Sequence, residues 1–184
     1  MGKFKKMRAI IIILLLFSTK LFGQIPTESE VEKYVKTVDS LKNKNQLQKF
    51  FYPNMSYCGG ALYGYYYQNK LVYIDAVYGG EFRNFSSRVV YFKDTIVYKI
   101  IYRQVLADWD KFIQKYPEAS EKLMERKMTY TDTTFTIIPT VPAVHIITAN
   151  KKTVSKDIDS QFINQLLSCG KEMKKELETE KTSP

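Results

Sequence analysis

Tyrosine is concentrated in one part of the chain. Nine of the 14 tyrosines lie between residues 61 and 103, within runs of aromatic and β-branched residues. Polar or glycine segments interrupt these runs at residues 68–70, 79–80 and 93–95. Aromatic and β-branched runs bounded by turn-forming residues are typical of β-strands joined by short turns. This part of the chain is therefore predicted to form antiparallel strands.

A weak internal repeat supports that prediction. Residues 65–73 and 90–98 resemble each other at an offset of 25 residues. In each copy a short polar turn separates two aromatic or β-branched strands, which predicts a β-hairpin. The two hairpins together predict a four-stranded antiparallel meander.

Amphipathic helices are predicted on both sides of these strands. Thr27 and Glu30 have the spacing of a capping box, and apolar residues follow at helical intervals. Further segments are assigned as follows: residues 47–51 a short turn or helix, 106–116 and 118–127 helices, 128–138 and 143–149 strands, and a helix from about residue 155. The predicted fold class is α+β. It consists of one antiparallel meander sheet, four strands as two repeated hairpins plus about two more, with the amphipathic helices packed on one face.

The amino terminus has the pattern of a secretion signal. Positively charged residues precede the uninterrupted apolar run at 9–17. This run is too short for a membrane helix, which needs about 20 apolar residues. We expect residues 1–23 to be a cleaved signal peptide and residues 24–184 to form one exported domain, periplasmic or extracellular, with no stable membrane span. An uncleaved amino-terminal anchor remains the alternative.

The charge of the mature chain argues against nucleic-acid binding. The full chain has a formal net charge of +9, but the first 23 residues contain five basic and no acidic residues. The remaining 23 basic and 19 acidic residues give a net charge of +4, and they do not form a basic stripe. No nucleic-acid partner is therefore expected.

Two cysteines, Cys58 and Cys169, are candidates for a disulfide. Export would place them in a compartment where disulfides form and persist. Such a bond would tie the carboxyl-terminal helix to the sheet. Two buried free thiols are the alternative, because the sequence does not show whether the two Cα atoms approach within about 7 Å.

Catalytic chemistry has weak support in the sequence. Cys58 could act as a nucleophile with His145 as its base, but His145 lies in an apolar strand, where structural histidines are common. Asp75 and Glu81 are the carboxylates near the aromatic strands that could act on a sugar. We expect Asp75 to point to solvent instead. One histidine and two distant cysteines do not make a zinc site, and no cofactor motif is present.

The tyrosines are the preferred candidates for binding. If helices cover one face of the sheet, tyrosines suit the other face, because the ring supplies contact area while the hydroxyl remains hydrated. The function predicted is that of an exported, non-catalytic domain that binds an envelope or secreted protein or polysaccharide. Alternatives are a small Cys58/His145 hydrolase, a carrier of an apolar ligand, and tyrosines that only stabilise the sheet through cross-strand pairs. The candidate binding residues are Tyr63, Tyr65, Tyr67, Tyr73, Tyr98 and Tyr102.

Overall fold

The part of the chain that the structure describes folds as an eight-stranded antiparallel meander with helices before, within and after it. The computed structural model describes residues 25–52, 60–79, 84–118, 120–141, 144–148, 151–155 and 158–182. Within these residues the sheet has the order β1 to β8, and each strand pairs with its neighbour in sequence. The predicted α+β class and antiparallel meander are thus confirmed. The elements are α1 (Glu28–Asn43), β1 (Gln48–Tyr52), β2 (Gly60–Tyr67), β3 (Lys70–Gly79), β4 (Phe85–Lys93), β5 (Ile96–Ala107), α2 (Trp109–Lys115), α3 (Glu121–Lys127), β6 (Tyr130–Ile137), β7 (Val144–Thr148), β8 (Lys151–Ser155) and α4 (Ser160–Thr182).

Two tight turns join the central strands. Gln68 and Asn69 connect β2 to β3 with positive φ angles of 49° and 63°, and Asp94 between β4 and β5 has a φ of 55°. Positive φ angles give a hairpin turn the twist of its flanking strands. The predicted repeat at an offset of 25 residues is not confirmed. The register irregularities of the two hairpins, at Tyr65 and Tyr91, lie 26 residues apart, and the hairpins are part of one longer meander.

Two short strands at the edges of the sheet differ from the prediction. Residues 48–52 form β1, which pairs with β2, so the prediction of a short turn or helix at 47–51 is wrong. Residues 151–155 form β8, which pairs with β7 and was not predicted. The sheet therefore extends beyond the predicted strands on both sides.

Helices α1 and α4 cover opposite faces of the sheet. The successive residues Tyr73 and Ile74 of β3 belong to two different core clusters, and successive side chains of a strand point to opposite faces. The prediction that the helices pack on one face is therefore not confirmed. On the α1 face, Val31, Val35 and Val38 pack with Tyr73, Tyr91, Tyr98 and Ile138. On the α4 face, Leu166, Met173 and Leu177 pack with Leu62, Ile74, Val90 and Ile100.

Polar contacts define the start of α1 and tie the helix to the sheet. The Thr27 amide donates to the Glu30 carboxylate at 2.9 Å, and the Thr27 side chain accepts from the Glu30 amide, which confirms the capping box. These bonds hold the pKa of Glu30 below its ordinary value. Further along the helix, Glu32 pairs with the buried Lys99 of β5 at 2.6 Å. The helix is thereby held in one orientation across the strands.

The helices of the described residues are not membrane helices. None combines the length and the apolar composition that a membrane-spanning helix requires.

Candidate functional site

The six candidate tyrosines do not share one exposed face. Tyr73 and Tyr98 are 5% and 9% exposed and lie beneath α1. Tyr102 lies on the α4 face, where its ring centroid is 6.0 Å from that of Phe135 and 5.9 Å from that of Phe162. The predicted exposed tyrosine face is not confirmed, because each face of the sheet carries a helix.

A row of aromatic rings crosses the sheet beneath α1. Tyr65, Tyr73 and Tyr91 follow one another on neighbouring strands, with edge-to-face rings whose centroids are 5.1 Å apart at each step. The Lys42 ammonium lies 4.2 Å from the Tyr73 ring centroid and donates to the Tyr73 hydroxyl at 2.9 Å. Burial, followed by the nearby Asp75 charge, raises the pKa of Tyr73. These contacts stabilise the sheet and its contact with α1.

The aromatic row ends at β1 and β2, the two strands at one edge of the sheet, where aromatic side chains are accessible. Tyr63, Tyr65 and Tyr67 alternate along β2 and share the α1 face, and Lys49 and Phe51 of β1 pair with Tyr65 and Tyr63. Phe51 is 51% exposed and Tyr67 is 38% exposed. We call Lys49, Phe51, Tyr63, Tyr65 and Tyr67 the edge aromatic surface. It contains three of the six tyrosines that the sequence singled out.

Four members of the edge aromatic surface, Lys49, Phe51, Tyr63 and Tyr65, contact one another. The Phe51 and Tyr63 ring centroids are 5.3 Å apart. The Lys49 ammonium lies 3.8 Å from the Tyr63 ring centroid and 5.9 Å from that of Tyr65, which is cation–π geometry. A group of adjacent rings with one ammonium can recognise a partner by contact. Sequence reasoning missed Lys49 and Phe51 because residues 47–51 were assigned to a turn or helix.

A groove lies beside β1 on the α4 face. It has a volume of about 370 Å³ and runs between Tyr52 and the carboxyl-terminal half of α4. Three carboxylates at intervals of four residues form one side of it, since residues four apart lie on the same side of a helix. We call it the acidic groove. Its lining residues are Tyr52, Glu172, Lys175, Glu176, Thr179 and Glu180.

Cys169 lies on the α4 face, and no described residue forms a disulfide with it. Arg88 Nη1 donates to its Sγ at 2.9 Å, and the Arg88 guanidinium lies over the Tyr78 ring, 4.9 Å from the centroid. Burial raises the pKa of the Cys169 thiol, so it is neutral at physiological pH and a poor nucleophile. Cys58 lies outside the described residues, and a disulfide between the two cysteines stays a prediction.

The described residues contain only one member of each candidate catalytic pair, His145 of one and Asp75 of the other. His145 lies on the α1 face beside a cavity of about 20 Å³ that Glu28 and Glu32 also line, whereas Cys169 lies on the opposite face. Asp75 is half-buried, and its carboxylate is 3.8 Å from the Lys42 ammonium. Asp75 is therefore paired and does not simply point to solvent. Glu81, like Cys58, lies outside the described residues.

Two grooves beside the helices are relevant to the alternative that the protein carries an apolar ligand. The acidic groove is lined mostly by charged side chains, and a second groove of about 420 Å³ contains three charged residues. Neither lining suits an apolar ligand. The second groove is lined by Pro26, Glu30, Lys33, Tyr34, Thr37, Lys93 and Tyr98.

Comparison with known proteins gives no match to this chain, whether with family models, curated proteins or solved structures. Among the residues that the structure describes, no three His, Cys, Asp or Glu side chains are grouped as metal ligands would be. The edge aromatic surface and the acidic groove are the two candidate sites beside β1.

Proposed function

We propose that this chain is an exported, non-catalytic domain that binds a protein partner through the edge aromatic surface. The supporting observation is that Phe51 is half-exposed next to Tyr63, with Lys49 over the same ring. A contiguous exposed group of large apolar side chains marks an interaction surface more often than scattered single residues do. Aromatic residues are also the side chains most enriched at protein interfaces.

The surrounding structure holds this surface in place before a partner arrives. Tyr65 belongs both to the edge aromatic surface and to the aromatic row beneath α1, and its ring is 5.1 Å from the Lys42 ammonium at the end of that helix. Tyrosine loses little side-chain freedom on binding, and a surface already fixed by packing loses still less. Little of the favourable free energy of contact is therefore spent on ordering these side chains, and more of it contributes to affinity.

The opposite edge of the sheet supplies a comparison. Strand β8 begins with the exposed Lys151 and Lys152, and lysines on an edge strand oppose pairing with other chains. Ile147 and Val154 are 42% and 58% exposed on the same face as the edge aromatic surface. They provide a matched apolar site without aromatic rings.

Capture experiments with two double variants test the proposed site. Residues 24–184 carrying Phe51→Ser and Tyr63→Ser should retain at least about tenfold less of the partner from an envelope extract than the unchanged domain. Ile147→Ser with Val154→Ser should retain as much as the unchanged domain. Equal retention by both double variants, or retention of a polysaccharide without protein, would reject the proposal.

The proposed export has its own test. If the apolar run at residues 9–17 directs export, the protein recovered from outside the cytoplasm should begin at about Gln24. Amino-terminal sequencing measures this directly. A protein that retains Met1 would show that the leader is not removed.

A further inference from the structure

We propose that the partner binds as an extended segment that adds a strand to β1, and that basic side chains of this segment enter the acidic groove. This inference rests on the proposed function and specifies the chemistry of the partner. It joins three features of the described residues, namely an edge strand, the edge aromatic surface and the acidic groove.

Among the described residues, strand β1 has a neighbouring strand on one side only. It pairs through Gln48–Tyr52 with β2, and the sheet order places no strand of the described residues beyond it. The backbone N–H and C=O groups along that side can pair with another extended chain. Main-chain bonds of this kind supply affinity in strand addition, while alternate side chains supply specificity.

The two faces beside β1 have different chemistry. On the α1 face an added strand would lie next to Phe51, which is half-exposed, and to the Lys49 ammonium. On the α4 face it would lie next to the acidic groove, which presents three carboxylates and one ammonium. Since successive side chains of a strand alternate between faces, the fitting sequence alternates aromatic or aliphatic residues with Lys or Arg.

A second copy of this chain fits the same edge less well. Antiparallel pairing of β1 with β1 of a second copy requires a two-fold axis perpendicular to the sheet, so both α4 helices would lie on the same side. The carboxylates of the two acidic grooves would then face each other and repel. Charge complementarity therefore favours a basic segment from another protein.

Peptide binding to the complete domain of residues 24–184 tests this inference. The probe is a short synthetic peptide in which Lys alternates with Val and Tyr, and the comparison peptide has Glu in place of Lys. We expect the Lys peptide to bind at least about tenfold more tightly, and the preference to weaken as ionic strength rises. Equal affinity for the two peptides would overturn the inference.

Charge reversal locates the contact. Glu176→Lys with Glu180→Lys should weaken binding of the Lys peptide by on the order of tenfold, because two attractive contacts become repulsive. Asp110→Lys with Glu118→Lys changes the net charge equally at exposed residues outside the groove and should have little effect. The same loss in both double variants would show that net charge alone is responsible, which would contradict a groove contact.

Amide hydrogen exchange separates failure of this inference from failure of the proposed function. Bound Lys peptide should slow exchange at alternate amides of β1 and leave β8 unchanged. Exchange in β1 could remain unchanged while the Phe51/Tyr63 double variant still loses partner capture. This result would reject strand addition but would still support the proposed function. If, in the absence of peptide, exchange in β1 becomes slower as the protein concentration rises, a second copy of the chain occupies this edge. That result would overturn the inference.

Discussion

At the scale of single residues, the position relative to α1 decides what each tyrosine does. Tyr91 is 4% exposed and donates from its hydroxyl to the Asp39 carboxylate at 2.8 Å. Tyr67 lies on the same face but in β2, next to the edge strand β1, and is 38% exposed. Tyr66 points to the opposite face, is buried, and has a hydroxyl without a hydrogen-bond partner among the described residues. The same residue type is therefore found in three environments: buried with a hydrogen bond, exposed, and buried without a hydrogen bond.

Removing the hydroxyls of Tyr91 and Tyr66 should have different effects on stability. Tyr91→Phe should lower the free energy of unfolding by about 1 to 3 kcal/mol, because Asp39 loses a hydrogen-bond donor. Tyr66→Phe should leave it unchanged or higher, because the removed hydroxyl is desolvated without a partner. Urea denaturation measures both values. Equal losses in the two variants would show that the Tyr91–Asp39 bond does not contribute as described.

The buried tyrosines should also make the protein sensitive to alkaline pH. Burial raises the pKa of Tyr34 and of Tyr66 to about 12, from an ordinary value of 10.0. Burial likewise raises the pKa of Tyr73 and Tyr91. Below pH 10 the unfolded and folded chains hold these protons equally, so this contribution to stability is fully present.

Stability should then fall as the pH rises from about 10 through about 12, since the unfolded chain releases phenolic protons that the folded chain retains. Urea midpoints measured across this range test the expectation, together with the absorbance of ionised tyrosine. Tyr66→Phe should make the decline shallower. A midpoint that does not change above pH 10 would contradict the burial of these hydroxyls.

At the scale of secondary structure, the sequence predicted the central elements but not the edges. Helix α1 follows from the capping box at Thr27 and from its apolar spacing, and the central hairpins follow from their turn residues. Strand β1 was missed because Leu47, Phe50 and Phe51 have helical spacing. Strand β8 was missed because Lys151 and Lys152 suit an edge strand but do not give an apolar alternation. Its pairing with β7 depends on the whole sheet.

The sequence contains a pattern from which burial of both faces of the sheet could have been predicted. Residues 71–74 and 89–92 are apolar or aromatic at every position, with no alternation of polar side chains. Continuous runs of this kind are typical of strands buried on both faces. The edge aromatic surface could not be predicted, because its exposure depends on where α1 ends relative to β1 and β2.

Core variants on the two faces test whether both helices are needed. Leu177 of α4 is fully buried, and Leu177→Ala should lower the free energy of unfolding by about 2 to 5 kcal/mol. Val38 of α1 is 1% exposed, and Val38→Ala should lower it by about 1 to 3 kcal/mol. Leu106→Ala, at a residue 48% exposed, is the control and should change it by less than about 0.5 kcal/mol.

Chemical denaturation of the three variants provides the measurement. If either Val38→Ala or Leu177→Ala behaves like the Leu106→Ala control, one helix does not pack on the sheet, and the two-sided arrangement is contradicted.

At the scale of the whole molecule, the two edges of the sheet differ in what they expose. The central strands are covered on both faces, and the β8 edge carries lysines. In the described residues, the β1 edge combines exposed aromatic rings, a strand with a neighbour on one side only, and the acidic groove. We therefore propose that the β1 edge is the part of the sheet that recognises a partner.

Site-specific photo-crosslinking tests this claim most directly. A photoreactive phenylalanine analogue is placed at position 51 in one sample and at position 154 in another, and each protein is irradiated in an envelope extract. We expect a covalent adduct with a partner protein from position 51 and none from position 154. An adduct from position 154 alone, or from neither position, would contradict recognition at the β1 edge.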